Sequence, residues 1–321
     1  MKLSITTHEF PLIGKFTISR GSKLSVHVLT VKISDNGFSG WGECVPYERY
    51  GETIKSVINQ IKNLQLPIDR DQLQKIMKPG AARNALDCAL WDLEAKSKGK
   101  RVWEIAGMTK PNKLITAFTI SLDKPQKMRA QAKKNSKRPL LKIKMGGEND
   151  LECIEAVTLG APNSKIIVDA NEAWDETEFQ KLMPHLKRLG IKLVEQPFPT
   201  NNDDVLRNIE KPIPICADES CHDSLGLKSL VGKYDYVNIK LDKTGGLTEA
   251  VRLKNLAEKY KLKIMVGCMV GSSLGMAPAI LLAQNVSFVD LDGPLLLKTD
   301  RNHRLKYDHD YVYPPTPNLW G

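Results

Sequence analysis

From about Lys113 onward, eight short apolar runs recur at a nearly constant interval, and no other feature of the chain restricts its fold as much. The runs are Leu114–Ile120, Leu140–Lys144, Ile166–Asp169, Ile191–Glu195, Ile213–Asp218, Tyr236–Lys240, Leu262–Gly267 and Ser287–Asp290. Marked at residues 119, 144, 169, 195, 218, 240, 267 and 290, they stand 25, 25, 26, 23, 22, 27 and 23 residues apart. That interval holds one strand, one amphipathic helix and two short connections, the period of a βα repeat. Eight such units read as a closed parallel α/β barrel over residues 113–299. Little room remains for an eighth helix, because Asp300–Gly321 is polar, aromatic and proline-rich. The tail 300–321 is expected to pack back on the N-terminal part.

Residues 1–112 have a different pattern. Alternating apolar positions over Leu3–Phe16 and Leu24–Ile33, then Gly40–Cys44, predict antiparallel strands. Helical periodicity follows over Thr53–Leu64, and a strong amphipathic helix over Ala81–Lys98, announced by Lys78-Pro79-Gly80. This half reads as an α+β domain with its own core.

Composition narrows the function classes. Of 321 residues, 41% are hydrophobic and 26% charged, the balance of a soluble globular protein. No apolar run approaches the ~20 residues of a membrane span, and the start has no apolar stretch of a secretory signal. The six cysteines include no C-x-x-C pair, which argues for free thiols, a cytoplasmic setting and no zinc site. The net charge of +10 raises the question of nucleic acid. Its densest source, Lys127–Lys142, has no aromatic residue to stack on a base, and helical spacing makes it a solvated face. The charge favours anionic small substrates by steering. Neither nucleic acid nor membrane is expected as a partner; a homo-oligomer is compatible with the sequence.

In a barrel of this kind the carboxyl ends of the strands carry the chemistry. Here they present Lys142 and Lys144, then Asp169, Glu195, Asp218, Lys240, and finally Asp290 with Asp292. One aspartate at a strand end is commonly a helix cap and one lysine a solvated side chain. Five such residues in register at successive strand ends are another matter. Buried like charges are costly unless paired or bound to a cation. An all-oxygen set, Asp169, Glu195 and Asp218, selects Mg²⁺ or Mn²⁺. Lys144 and Lys240 would face each other across the barrel mouth. A divalent cation and the Lys142 ammonium would stabilise charge developing on a substrate carboxylate, while one lysine removes an α-proton and the other returns one to the opposite face. Two opposed lysines point to racemisation or epimerisation. They are also compatible with a syn elimination that uses one of them.

These residues bring out a resemblance. The chain resembles the enolase superfamily and its muconate-lactonizing-type subgroup through Lys142-Ile143-Lys144, Asp169-Ala170-Asn171, Val194-Glu195-Gln196-Pro197, Ala217-Asp218-Glu219-Ser220 and Asn238-Ile239-Lys240-Leu241-Asp242. It is most similar to the dipeptide epimerases of that subgroup, through Pro46–Glu52, Gly80–Asp87, Leu241–Leu247 and Asp290–Pro294. The resemblance implies a (β/α)7β barrel with an α+β capping domain and a Mg²⁺-dependent epimerase acting on the C-terminal residue of a dipeptide. The favoured reaction is L-Ala-L-Glu to L-Ala-D-Glu, in the degradation of murein peptides. It further implies Asp290 and Asp292 as the site for the substrate's α-ammonium, with Asn171 and Gln196 beside the metal. Arg20, in the loop Ile18–Ser22, would pair with the distal carboxylate of a glutamate. Thr119, at the first strand end, would hydrogen-bond the substrate, and Cys268 and Met269 would line the pocket with backbone. Epimerases of other dipeptides, and lyases of the muconate cycloisomerase or o-succinylbenzoate synthase kind, are the competing readings.

Overall fold

A computed structural model describes residues 1–321. The N-terminal part is an antiparallel sheet of three strands, β1 (Lys2–Ile18), β2 (Gly21–Asp35) and β3 (Phe38–Cys44), packed on helices α1 (Ile54–Lys62), α2 (Arg70–Ile76) and α3 (Ala81–Lys98). The α1 and α2 helices start on capping boxes at Thr53 and Asp69, where side chain and backbone exchange hydrogen bonds with the third helical residue. Sequence periodicity had no signal for α2, which is short and buries only Leu73. The α3 helix lies so close on β3 that a Cβ on Gly42 would stand 2.0 Å from the Ala85 carbonyl oxygen, and one on Gly40 2.1 Å from that of Ala89.

The barrel strands are Phe118–Ile120, Leu140–Lys144, Lys165–Asp169, Leu193–Glu195, Ile215–Ala217, Tyr236–Ile239, Lys263–Val266 and Phe288–Val289, each parallel to the next. The Ala117 N–H donates to the Val289 carbonyl (2.8 Å) and closes the ring between first and last strand. Seven of the eight runs read from the sequence contain one of these strands, and the run Ile166–Asp169 falls one residue short of its strand at Lys165. The first run is divided: Leu114–Ile115 pairs antiparallel with Tyr311–Val312 of the tail, and only Phe118–Ile120 joins the barrel. Two crossovers are single 3-10 turns, Asp203–Arg207 and Leu227–Leu230, instead of helices. Pro197 and Pro199 before the first of them and Pro212 and Pro214 after it confine that connection to residues 200–211.

Period-two alternation sorts the strand residues. Leu140, Ile167, Leu193, Cys216, Tyr236 and Met265 point inward and, with Ala117 and Phe288, make an apolar floor. Two residues further along the same strands, the same face carries Lys142, Asp169, Glu195, Asp218, Asn238 and Asp290. Outward residues such as Ile143, Val168, Val194, Val237 and Val266 join the 57-residue core shared with the helices.

The tail ties the two halves together. Arg301 donates to Glu43 of β3 and to Thr30 of β2, the Trp320 indole N–H donates to the Cys88 carbonyl (3.0 Å), and the Gly321 N–H to Asp92 (2.7 Å). The β1–β2 hairpin crosses the carboxyl end of the barrel. Midway along it the Lys298 N–H donates to the Pro11 carbonyl (2.8 Å), and near its tip the Leu122 N–H donates to that of Thr17 (3.1 Å).

Candidate active site

A cavity of about 1030 Å³ lies between the hairpin and the barrel mouth. Its lining includes Arg20, Thr119, Lys142, Lys144, Asp218, Lys240, Cys268, Met269, Asp290 and Asp292. Lys144 ends the second barrel strand and Lys240 follows the sixth, four strands apart around a ring of eight, so they approach the cavity from opposite walls. Asp169 and Glu195 are also buried, at the ends of strands three and four. Carboxylate oxygens of Asp169, Glu195 and Asp218 lie within 4.8 Å of one another.

Four lysines hold this triad. The Lys144 ammonium is 2.5 Å from Asp169, and Lys240 and Lys243 are each 2.6 Å from Asp218, one on each oxygen. Lys142 touches Asp169 (3.0 Å), Glu195 (2.7 Å) and Asp290 (2.9 Å). Burial opposes ionisation of Asp169 and Asp218, but these lysines outweigh it and hold both carboxyls below the usual range. Burial likewise works against the charge on Lys240, yet Asp218 holds its pKa well above that of a free lysine. Glu195 goes the other way: burial, then the Asp169 charge, push it up to about 7. A carboxylate so placed needs one more cation to stay ionised, and three oxygens without nitrogen or sulfur fit a hard divalent ion.

Two of the side chains expected to meet substrate already have acidic partners within the protein. Lys142 lies within 3.0 Å of three carboxylates and donates a hydrogen bond to Asp290, so its charge links the triad to Asp290. Arg20 is engaged as well. Its Nη1 donates to the Asn171 carbonyl (2.8 Å) and Glu172 (3.2 Å), and its Nη2 to the Tyr47 hydroxyl (3.2 Å) and Glu219 (2.7 Å). Of the cationic side chains on the cavity wall, Lys23 alone is without an acidic partner; its ammonium sits 5.5 Å from the Tyr47 ring centroid. Asp290 and Asp292 are both buried. Lys142 takes one oxygen of Asp290 and the other has no partner, while Asp292 accepts the Thr119 N–H (2.6 Å). Burial and the Asp290 charge raise Asp292 to about 7. Cys268 and Met269 contribute wall; burial raises the Cys268 thiol out of the thiolate range.

Sequence reasoning missed Lys243, Asn238, Glu219 and Lys23. Asn238 donates to Glu195 (2.8 Å) and stands two residues before Lys240, so strand alternation contained the signal. Gln196 accepts the N–H groups of Asp218 (2.9 Å) and Ser220 (3.1 Å), and Asn171 donates to Asp169 through its N–H (3.0 Å).

Comparison with known proteins agrees with this geometry. Residues 2–107 match the N-terminal domain of mandelate racemase and muconate lactonizing enzyme, and residues 127–316 the enolase C-terminal domain-like family. The chain belongs to the enolase superfamily. Among its relatives there, an N-acetyl-D-glutamate racemase of Pseudoalteromonas sp is 45% identical, covering 92% of this chain and 95% of that protein. The L-Ala-D/L-Glu epimerase of Escherichia coli K12 is 42% identical, covering 95% and 97%. A solved enolase-family structure from Agrobacterium tumefaciens, with homology to dipeptide epimerases and bound sodium and L-Ala-L-Glu, superposes with a TM-score of 0.97. It is 50% identical and 99% of each chain is covered. A dipeptide epimerase from Enterococcus faecalis V583, 28% identical with a TM-score of 0.91 over 98% and 96% of the chains, is complexed with Mg and L-Leu-L-Tyr. Within the superfamily this chain is an isomerase.

Proposed function

We propose that the protein inverts the α-carbon of the C-terminal residue of a dipeptide, with L-Ala-L-Glu and L-Ala-D-Glu as the substrate pair, in the cytoplasmic breakdown of murein peptides. The observation that carries this reading is the buried pair Asp290 and Asp292, with a free Asp290 oxygen, on the wall of a cavity flanked by two opposed lysines. An α-ammonium satisfies that oxygen. Asp169, Glu195 and Asp218 hold a divalent ion, Mg²⁺ or Mn²⁺, which when bound supplies positive charge beside the substrate carboxylate and so acidifies the neighbouring C–H. Lys144 and Lys240 are the acid/base pair. One takes the α-proton on its face; the other delivers a proton from the opposite wall, and the configuration inverts. The apolar barrel floor and the overlying hairpin keep water from quenching the carbanionic state. Lys23 takes the distal carboxylate in place of Arg20, because its charge is the one left uncompensated.

A second reading has an observation behind it, the 45% identity to an N-acetyl-D-glutamate racemase. The lysine chemistry is the same, but an acetamide supplies no cation to Asp290. Leaving a buried acceptor without a donor costs roughly 1–3 kcal/mol, about 5- to 150-fold in affinity. Proton NMR in D2O with Mg²⁺, run on L-Ala-L-Glu, N-acetyl-L-glutamate and a panel of other dipeptides, decides between them. Loss of the glutamyl α-proton with growth of the L,D diastereomer is the expected result. Faster exchange on N-acetyl-L-glutamate overturns the dipeptide assignment, and no exchange on any of them returns a lyase to first place.

A further inference from the structure

The proposed chemistry leaves one strongly paired group without a task. Arg20 is the tip residue of the β1–β2 hairpin, between the paired ends Ile18 and Gly21, and it reaches across the cavity mouth to the far side of the barrel. Its partners come from three places: Tyr47 of the cap, Asn171 and Glu172 after the third barrel strand, and Glu219 after the fifth. Four of its five N–H groups are used, and the ion pair to Glu219 (2.7 Å) is shielded, with Glu219 almost fully buried. The neighbouring Ser19 donates to the Asn171 carbonyl (2.9 Å), and a Cβ on Gly146 would collide with Ser19 at 2.5 Å, so the tip rests directly on the barrel loops. Arg49 adds a two-pronged contact to Glu172 (2.7 Å for both bonds), which fixes the carboxylate that Arg20 shares.

A planar guanidinium held by four partners on three segments is built to lock a position, and has no free edge for a bidentate carboxylate. We infer that Arg20 and Glu219 form a strut that holds the hairpin closed over the cavity, and that Glu219 is thereby a positioning residue, acting on substrate only through the hairpin it anchors. Glu219 directly follows Asp218, so the strut ties the closing element to the loop that carries a triad carboxylate. Closure then strengthens binding of every dipeptide alike, whereas Lys23 discriminates among them. The inference rests on the reading that the cavity under the hairpin takes the substrate.

Hydrogen exchange and kinetics of the Mg²⁺-supplemented full chain test it. In Arg20→Met the amides of residues 14–24 are expected to exchange about tenfold faster. KM should rise by the same factor, about tenfold, for L-Ala-L-Glu and for an apolar dipeptide such as L-Ala-L-Leu, with kcat changed less than about threefold. Glu219→Gln should show the same faster exchange, and the double variant should be no worse than the more affected single one, as expected for one shared interaction. Arg20→Lys, which keeps the charge but reaches fewer partners, should recover part of the protection. Unchanged exchange in both single variants overturns the strut. A KM increase confined to the acidic dipeptide also overturns it and makes Arg20 a substrate ligand. Titration calorimetry with Mg²⁺ alone gives a third readout: if Glu219→Gln weakens metal binding and leaves the hairpin protected, Glu219 serves the metal and the inference fails. If no dipeptide is turned over, the exchange result still decides the strut, and the loss falls on the substrate assignment.

Discussion

Asp290→Asn separates an ammonium site from a structural aspartate. The substitution keeps shape and volume, and Asn retains an oxygen that can accept from Lys142, which is 2.9 Å away in the structure. What it removes is negative charge at the oxygen without a partner. A hydrogen bond between two charged groups in such a place contributes about 1.5–3 kcal/mol, so kcat/KM for L-Ala-L-Glu should fall roughly 10- to 150-fold. The same variant also leaves Lys142 one counter-charge short, which would disturb any substrate. The control is therefore N-acetyl-L-Ala-L-Glu, identical in its reacting end but with no ammonium. The damage through Lys142 is common to both substrates and cancels in their ratio. Initial rates of α-proton exchange in D2O give that ratio directly. Wild-type protein should prefer the free dipeptide, and Asp290→Asn should erase most of the preference. Equal losses on both substrates would falsify the ammonium assignment, because they would mean that Asp290 acts only by holding Lys142.

Three further outcomes follow from the geometry. Lys144→Ala and Lys240→Ala should each lower epimerisation by about 10³-fold or more, yet each should still exchange the α-proton of one diastereomer, a different one in each variant; loss of all exchange in either would contradict a two-face mechanism. Gly42→Ala forces a methyl group against the Ala85 carbonyl where only 2.0 Å is available, so α3 must move off β3. A drop of about 3 kcal/mol or more in unfolding free energy, read by urea titration, is the expected cost, and an unchanged midpoint would contradict that packing. Asp242 joins barrel to cap by accepting the Val45 N–H (3.0 Å) and the Asn84 amide (2.8 Å), and burial raises its carboxyl to about 7. Because its pKa lies higher folded than unfolded, the folded state holds the extra proton between those values, and stability falls as pH rises through 7. Asp242→Asn should flatten that decline between pH 5 and 8 in thermal melts, and an identical pH slope in the two proteins would refute it.

Much of this was legible before any coordinates. The βα interval placed all eight barrel strands, because a strand-helix unit of fixed thickness around a closed ring must have a nearly fixed length. Strand alternation then brought Lys144, Asp169, Glu195, Asp218, Lys240 and Asp290 to one end of one interior face, since a residue two positions from an inward apolar side chain also points inward. Those are local rules, and local rules are written in the order of residues. Partnership is not. Whether Arg20 was free to meet a substrate depended on Glu219, 199 residues away, and on how far the hairpin reaches across the barrel. Which charges surround Lys142 depended on three carboxylates converging within 3.0 Å of its ammonium from three different strands. The split of the first run, with Leu114–Ile115 given to the tail, turned on where the last residues return. The residue types and their period thus specify the barrel and the inventory of its mouth, while the pairing of charges within that mouth is settled only when distant segments meet, because each buried charge takes the nearest opposite charge in space and not in sequence.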